Sequence, residues 1–206
     1  MNYVENLVKT YPALAPVLED VKLAADMIIS SYRKGGKILV AGNGGSAADS
    51  EHISGEMLKG FLLRRHPSDD EMKALTERLS EEEAAMLQRG VPTIPLPSLS
   101  ATLSAFANDV CPELVFAQLT FALGKAGDIL IALSTSGNSK NVVKAAEVAK
   151  AMGLTVIAMT GESGGKLLSI ADLTIKAPER ETYKIQEYHL PIYHAICAEV
   201  EDTLFG

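Results

Sequence analysis

The sequence predicts an α/β fold, a three-layer sandwich in which a parallel five-stranded sheet is flanked by helices. Short runs rich in Val, Ile and Leu recur along the chain, and stretches of helical spacing separate them. These runs lack the polar alternation of a strand with one wet face, so both faces of the sheet are expected to be buried. The five predicted strands cover residues 37–41, 93–96, 128–134, 154–160 and 173–177.

Length and composition predict a single domain over residues 1–206 with one hydrophobic core. Hydrophobic residues make up 47% of the chain and charged residues 22%, which is ordinary for a soluble globular protein. The formal net charge of −7 argues against a protein that binds the nucleic-acid backbone. The N-terminus lacks the order of a signal peptide and no apolar run reaches transmembrane length, so we expect no membrane contact and a cytoplasmic location.

The first predicted element is a long amphipathic helix. Apolar side chains recur at helical spacing over residues 12–33, and Gly35 and Gly36 end the pattern. The second predicted strand is expected to be short, because Pro95 and Pro97 cannot donate to a sheet ladder.

Residues 62–92 are strongly charged and interrupt the alternation of strands and helices. Two capping boxes, Ser68 with Glu71 and Ser80 with Glu83, predict a helical hairpin inserted after the first strand-helix unit. Its mixed charges are most simply a solvated face. A lid over a site or an arm between subunits is the alternative.

The first strand-to-helix turn, Gly42-Asn-Gly-Gly-Ser-Ala47, matches the pattern Gly-x-Gly-x-x-Ala of dinucleotide-binding proteins. Dinucleotide binding also requires an acid at the end of the next strand, about 20 residues on. The next predicted strand begins only at residue 93 and ends in Pro-Leu-Pro-Ser. The turn also lacks the Gly-Lys-Ser/Thr of a P-loop. Nucleotides are therefore disfavoured.

The second such turn, Ser134-Thr-Ser-Gly-Asn-Ser139, offers four hydroxyls at the start of a helix. Small hydroxyl side chains and free N–H groups at a helix N-terminus suit a compact dianion such as a phosphate monoester. The alternative is that Ser139 or Asn138 merely caps the helix.

Two helices contain the side chains that could bind a metal ion or transfer protons. His52 and Glu56 lie four residues apart and project from one helix face, and the C-terminal helix supplies Gln186, His189 and His194. Imidazole and carboxylate ligands suit a catalytic zinc ion, although a His/Glu pair at this spacing is often only a surface pair. Gln186 and His194 are separated by about 12 Å along a straight helix. For His189 we expect a structural role.

The segments AGNGGSAADSEH and LSTSGNSKNVVKAAEVAKAMG resemble the sugar isomerase (SIS) domain, and the resemblance covers nearly the whole chain. His-x-x-x-Glu after the first turn, together with Gln-Glu-x-His-x-x-x-x-His near the C-terminus, resembles the phosphoheptose isomerase branch. The chain departs from that branch at Tyr183, where an aspartate is common, and at Lys59-Gly60, where a Gly-Arg pair is common. The 62–92 insertion is also longer than the corresponding segment in enzymes of that branch.

The resemblance implies isomerisation of sedoheptulose 7-phosphate to the aldoheptose phosphate, with Glu56 and His194 as the acid/base pair. It implies one divalent metal, zinc, held by His52, Glu56, Gln186 and His194. It also implies a homo-oligomer, expected to be a tetramer. The residues expected to bind the phosphorylated sugar are Asn43, Gly44, Ser46, Asp109, Ser134, Thr135, Ser136, Ser139 and Gln186.

Two other functions stay open at this point. A non-catalytic SIS protein, such as the adaptors that bind a replication initiator, would keep the serine turns but has no need for His52, Glu56 and His194 together. An isomerase of a different sugar phosphate would keep every one of these residues in the same role.

Overall fold

A computed structural model describes residues 3–206 and confirms the predicted sheet. Five parallel strands are arranged in the order β2-β1-β3-β4-β5. The strands are β1 (Ile38–Ala41), β2 (Thr93–Pro95), β3 (Ile129–Leu133), β4 (Thr155–Thr160) and β5 (Leu173–Lys176).

Helices cover both faces of this sheet. No helix among the described residues is both long and apolar enough to cross a membrane. The helices are α1 (Tyr3–Thr10), α2 (Leu18–Arg33), α3 (Gly45–Leu58), α4 (Asp69–Leu75), α5 (Glu81–Met86), α6 (Ser100–Asp109), α7 (Val115–Leu123), α8 (Lys140–Ala151) and α9 (Thr182–Phe205), and short 3₁₀ turns cover Pro12–Val17, Leu96–Ser98, Pro112–Leu114 and Gly165–Ser169.

The hydrophobic core lies on both faces of the sheet, as the continuous apolar strands predict. Ile38 and Val40 of β1 point to one face, where they join the buried side chains of α1, α2, α3 and α9. Leu39 and Ala41 point to the other face, against α7 and α8. All residues of β1 and β3 are buried, which explains why neither strand shows polar alternation.

The prediction that the opening helix begins at residue 12 is wrong. The segment Pro12–Val17 forms a 3₁₀ turn, and the α-helix begins only at Leu18. Pro16 has no N–H to donate to the carbonyl four residues back, so a regular α-helix cannot run through it without losing that bond. The second strand is three residues long, which agrees with the effect expected from its prolines.

The insertion contains the predicted helical hairpin, α4 and α5, and both capping boxes are present. The Ser68 hydroxyl accepts a hydrogen bond from the Glu71 N–H, and the Glu71 carboxylate accepts one from the Ser68 N–H at 2.7 Å. Ser80 and Glu83 repeat the arrangement. Most of the hairpin is exposed, with Ala84 buried in α5.

A buried ion pair joins the start of the insertion to the last helix. Arg65 Nε donates to Glu201 Oε1 at 2.7 Å, and both side chains are 1% exposed. The Glu201 carboxylate also accepts from the backbone N–H groups of residues 61–63. Arg65 donates to the carbonyl oxygens of Glu56 and Met57 at 2.7 and 2.6 Å. Burial alone would raise the pKa of the carboxyl, but these hydrogen bonds and the guanidinium outweigh it and lower the pKa.

The strand order brings the first two turns together. β1 and β3 are neighbours, with Ala41 paired to Ala132, although the chain passes through β2 between them. Ligands of such sheets bind beyond the carboxyl ends of the strands at the point where the strand order reverses. The turns after β1 and β3 therefore meet at the place where a ligand is expected.

Candidate active site

The first turn, residues 42–46, leads from β1 into α3. Gly44 precedes the first residue of α3 with φ 55° and ψ −120°, a conformation that a side chain would strain. Ser46, in the first turn of the helix, is 3% exposed. The glycine thus lets the backbone approach a ligand directly at a helix N-terminus.

The second turn, residues 134–139, is held in shape by its own hydroxyls. The Oγ atoms of Ser134 and Ser139 are hydrogen bonded at 2.9 Å, and the Gly137 N–H donates to the Ser134 carbonyl at 2.9 Å. Helix α8 begins at the next residue, Lys140. Two helix N-termini, those of α3 and α8, therefore open at the same edge of the sheet.

A reciprocal pair of amide hydrogen bonds locks the two turns together. Asn43 Nδ2 donates to Asn141 Oδ1, Asn141 Nδ2 donates to Asn43 Oδ1, and both distances are 2.9 Å. Asn141 Oδ1 also accepts from the Val142 N–H. Sequence reasoning missed Asn141, whose only signal is its place in the first turn of α8 behind the serines.

A cavity of about 370 Å³ lies between the two turns. None of the described side chains that line it carries a charge, so N–H groups, hydroxyls and the two helix dipoles provide its positive potential. Such a surface suits a compact dianion. The lining residues are Asn43, Gly44, Gly45, Ser46, Leu133, Ser134, Thr135, Ser139, Thr182 and Gln186. Gly45 and Thr182 were not singled out from the sequence.

Two of the predicted sugar-binding residues lie outside this cavity. The Ser136 hydroxyl accepts from the Asn138 N–H and faces an adjoining cavity of about 650 Å³. Asp109 ends α6, and its exposed carboxylate accepts from the Asn108 side chain at 2.8 Å. Their roles in sugar binding stay predictions.

Gln186 packs against the start of α3. A β-carbon at Gly45 would stand 2.5 Å from Gln186 Nε2. The structure therefore places this side chain at the cavity between the two serine turns. The metal ligand role expected for Gln186 would require the amide to reach toward His194, about 12 Å along the axis of α9.

His52, Glu56 and His194 form a second group farther along the same two helices. His52 Nε2 lies 3.2 Å from Glu56 Oε1 and 3.4 Å from His194 Nε2. Lys59, one of the departures from the family pattern, places Nζ 3.5 Å from Glu56 Oε2. Burial first, and then the nearby His52, lowers the pKa of His194, which favours its neutral form. Glu56 and His194, the predicted acid/base pair, thus both lie next to the imidazole of His52.

The donor atoms of this group have spacings that suit a zinc ion. Two ligands about 2.0–2.1 Å from tetrahedral zinc are about 3.4 Å apart, which is close to both distances from His52 Nε2. Within residues 3–206, no three His, Cys, Asp or Glu side chains already form a metal-binding group. The chemistry of the donors fits zinc, but their present arrangement is not a finished site.

Tyr193 and Asp49 complete the surroundings of His52, and sequence reasoning missed both. The Tyr193 hydroxyl lies 2.9 Å from His52 Nδ1 and 3.3 Å from Asp49 Oδ1. Burial raises the pKa of the phenol, and the Asp49 carboxylate raises it further. The hydroxyl therefore keeps its proton at neutral pH.

His189 lies apart from this group. Its ring is fully buried, and Nε2 donates to the Thr160 carbonyl at the end of β4 over 3.2 Å. Burial lowers the pKa of His189 to about 4, so the ring is neutral. These contacts agree with the structural role that the sequence predicts for it.

The two groups share a rigid frame, because α3 and α9 pack side by side in the same direction. Gln186 lies against Gly45 at one end, and His194 lies against His52 at the other. Gly45 and His52 are separated by about 10 Å along the axis of α3 at about 1.5 Å per residue. The arrangement can hold an anion at one end of a ligand and move protons at the other.

Known proteins share this fold over nearly their whole length. The SIS domain family matches residues 2–91 and 112–161. A phosphoheptose isomerase of Shewanella baltica (strain OS155) is 37% identical over 99% of this chain and 93% of its own. The structure of a phosphoheptose isomerase from Francisella tularensis has a TM-score of 0.78 at 29% identity, covering 97% of this chain and 95% of that one. Another, from Neisseria gonorrhoeae, has a TM-score of 0.76 at 30% identity, with coverages of 96% and 94%.

The parallel sheet and the serine turns at its carboxyl edge define an α/β protein of the SIS class. The similarity at 37% identity also covers the helices on which His52, Glu56 and His194 lie. The chain belongs to the phosphoheptose isomerase family of SIS domains.

Proposed function

We propose that the protein is an aldose–ketose isomerase that converts sedoheptulose 7-phosphate to D-glycero-D-manno-heptose 7-phosphate through an enediol. The main observation that supports this proposal is that one helix, α3, contributes both to an anion-binding cavity and to a group of acid/base side chains. The N-terminus of α3 lines a cavity of about 370 Å³ whose described side chains carry no charge, and His52 and Glu56 follow about 10 Å along the axis of α3. The named activity of the relatives supports the choice of sugar.

The turns after β1 and β3 hold the phosphate. Ser46, Ser134, Thr135 and Ser139 supply hydroxyls, and the starts of α3 and α8 supply N–H groups and favourable dipoles. Holding the distant phosphate fixes the reacting carbons without taking part in the chemistry, which lowers the entropy cost of the reaction. Gln186, at the edge of this cavity, orients the sugar chain beside Asn43.

Glu56 and His194 divide the proton transfers. The ketose loses a proton from C1 to the Glu56 carboxylate, giving the enediol, and Glu56 returns the proton to C2. His194, held neutral by burial, accepts the proton of the C1 hydroxyl and delivers it to the C2 oxygen. C1 is thereby oxidised and C2 reduced, and no external oxidant or reductant is needed.

Zinc is part of this proposal. His52, Glu56 and His194 would hold it. Gln186, which the resemblance implies as a fourth ligand, lies instead against Gly45, and it would have to span about 12 Å along α9 to join them. When bound, zinc would polarise the carbonyl and stabilise charge on the enediolate oxygens. The donor types and the two spacings around His52 Nε2 support this assignment.

The test is the isomerisation of sedoheptulose 7-phosphate by the purified protein, with and without added zinc, followed by NMR of the sugar anomeric protons. Glu56→Gln and His194→Gln should each reduce kcat by about a hundredfold or more, because each removes one proton carrier. Glu51→Gln is the matched control, since Glu51 lies on the same helix but is exposed and contacts Ser98. Sugar-phosphate binding by the two inactive variants, measured by calorimetry, should persist.

Two other results would overturn parts of the proposal. Wild-type protein that binds sedoheptulose 7-phosphate but leaves it unchanged in the presence of zinc would contradict the isomerase assignment and favour a non-catalytic binding protein. Turnover of another sugar phosphate instead would keep the residue roles and replace the substrate.

The proposal includes a homotetramer. α6 has no buried residue, and Val110 after α6 and Phe121 on α7 are 67% and 65% exposed. In the proposed tetramer these side chains would be buried between subunits. α1, in contrast, already packs against α9 within the protomer. Light scattering of the wild type and of Phe121→Asp should show a tetramer that the charge disrupts, and a monomeric wild type would contradict this assignment.

The proposal also includes a cytoplasmic location. Cys111 and Cys197, the two cysteines of the chain, are free thiols. Free thiols of this kind are typical of a reducing compartment. Fractionation of cells that express the protein should recover it with cytoplasmic enzymes.

A further inference from the structure

Asp49, Tyr193 and His52 form a hydrogen-bonded chain next to the proposed reaction centre. Asp49 and Tyr193 take no part in the proposed proton transfers. The Tyr193 hydroxyl lies 3.3 Å from Asp49 Oδ1 and 2.9 Å from His52 Nδ1. Tyr193 is 2% exposed, and its ring packs edge-on against the His52 imidazole with centroids 5.4 Å apart. A buried hydroxyl between these two partners holds a fixed geometry, because water does not compete for its hydrogen bonds.

We infer that Tyr193 is a positioning residue: aimed by Asp49, it fixes the His52 ring so that Nε2 faces Glu56 and His194. This inference rests on the proposed function only through the role of His52 in binding zinc.

The contacts of the imidazole explain why the ring needs such a partner. His52 is one of the more exposed members of the group, at 43% side-chain exposure, so packing alone does not restrain it. A flip of the ring would replace Nδ1 by a carbon atom at the Tyr193 hydroxyl and would turn Nε2 away from Glu56 Oε1. The 2.9 Å hydrogen bond disfavours that flip.

Asp49 in turn fixes the phenol. It lies one turn before His52 on α3, and Oδ1 accepts the hydroxyl proton of Tyr193. Its other carboxylate oxygen, Oδ2, is buried without a hydrogen-bond partner among the described residues. This oxygen is desolvated without a compensating hydrogen bond, so holding the carboxylate toward Tyr193 costs solvation free energy.

If His52 bound zinc through Nε2, the three residues would have one consistent proton arrangement. His52 would carry its proton on Nδ1 and donate it to the Tyr193 oxygen, and Tyr193 would donate to the Asp49 carboxylate, as it does in the structure. Metal-bound histidines in general are held in this way by an acceptor on their second nitrogen, and loss of that acceptor weakens metal binding about ten- to a hundredfold.

The experiment measures the zinc affinity of the full-length protein by competition with a chromophoric chelator. Tyr193→Phe keeps the ring packing and removes the hydroxyl, so its zinc affinity should fall about ten- to a hundredfold. Tyr188→Phe is the matched control, because Tyr188 lies on the same helix and is partly buried in the core, whereas the hydrogen-bond partners of the His52 ring from this helix are Tyr193 and His194. Asp49→Asn should weaken affinity as well, and the double variant should be no worse than Tyr193→Phe alone, because both act through one chain.

Three results would overturn the inference: unchanged zinc affinity in Tyr193→Phe, additive effects of the two substitutions, or no zinc binding by the wild type. Thermal unfolding of each variant identifies a loss caused by misfolding. If Tyr193→Phe does not fold, the ¹⁵N resonances of the His52 ring in the zinc-loaded wild type decide instead: a proton on Nδ1 supports the inference, and its absence contradicts it. Isomerisation is assayed separately, so an active wild type that binds no zinc leaves the isomerase assignment standing while this inference fails.

Discussion

Gln186 lies so close to Gly45 that a β-carbon at position 45 would stand 2.5 Å from its side-chain nitrogen. The contact joins the last helix to the first residue of α3, at the edge of the cavity assigned to the phosphate. The glycine is therefore required there by its neighbour, since its own φ does not lie in the left-handed region.

Gly45→Ala should impair catalysis without unfolding the protein. The methyl group meets only the end of a flexible side chain, so Gln186 moves aside and the fold survives. We expect kcat/KM for sedoheptulose 7-phosphate to fall about ten- to a hundredfold, the effect of misplacing a substrate-orienting group.

Gly55→Ala on the same helix is the control. Nothing lies within 4 Å of a β-carbon there, and the substitution should stabilise α3 by roughly 0.5–1 kcal/mol with activity unchanged. Steady-state kinetics and thermal unfolding of both variants measure the difference. Equal activities would show that Gln186 takes no part in binding.

Arg65→Met should be strongly destabilising. It leaves the Glu201 carboxylate buried without its cation and removes the guanidinium hydrogen bonds to the carbonyls of Glu56 and Met57, of which Met57 keeps one from the Val91 N–H. Breaking a buried pair in this way costs about 3–5 kcal/mol. Chemical denaturation would measure the loss, and Arg180→Met in the exposed pair with Glu162 should leave the unfolding midpoint unchanged. A small effect of Arg65→Met would mean that the backbone N–H groups alone satisfy Glu201.

His189 should make stability depend on pH between about 6.5 and 4. Above this window the ring is neutral in both the folded and the unfolded chain. As the pH falls through it, the unfolded chain takes up a proton that the buried ring, with its pKa lowered to about 4, still refuses. The free energy of unfolding should therefore decline by on the order of 3 kcal/mol across the window.

His189→Gln provides the comparison, because glutamine can still donate to the Thr160 carbonyl but does not titrate. Its unfolding free energy should change less between pH 7 and pH 4.5 than that of the wild type. His66→Gln, at an exposed position, should retain the wild-type slope. Identical slopes for all three proteins would rule out His189 as the source.

Asn141→Ala should weaken substrate binding more than it slows chemistry. It leaves the Asn43 amide without its two partner bonds, and the first turn is then no longer tied to α8. A net hydrogen bond contributes about 0.5–1.5 kcal/mol, so KM should rise roughly two- to tenfold with kcat nearly unchanged. Lys144→Ala, one turn farther along α8 and paired with Glu147, should leave KM unaltered. A fall in kcat alone would contradict this role.

The features predicted correctly from the sequence are those with local causes. The runs of Val, Ile and Leu mark strands buried on both faces, and the capping boxes of Ser68 and Ser80 bring together residues only three apart. The location of the serine turns was also predictable, because the carboxyl ends of parallel strands lie at one edge of the sheet. Only Pro16 led to an error, since its helical neighbours concealed the 3₁₀ turn.

The contacts missed from the sequence depend on how distant elements pack. Arg65 meets Glu201, Asn43 meets Asn141, and Tyr193 meets His52, and each pair joins two helices or turns far apart in the chain. No local pattern identifies such partners. The place of Gln186 depends on the offset between α3 and α9, which spacing along a single helix does not reveal.

The use of one helix for both ends of the ligand also limits how this family can change its choice of sugar. One residue inserted into α3 between Gly45 and His52 would lengthen the gap by about 1.5 Å and rotate every later side chain by about 100°. His52 and Glu56 would then turn away from α9. A one-residue change in the length of α3 would therefore break the contacts of His52 with Tyr193 and His194 instead of merely lengthening the site.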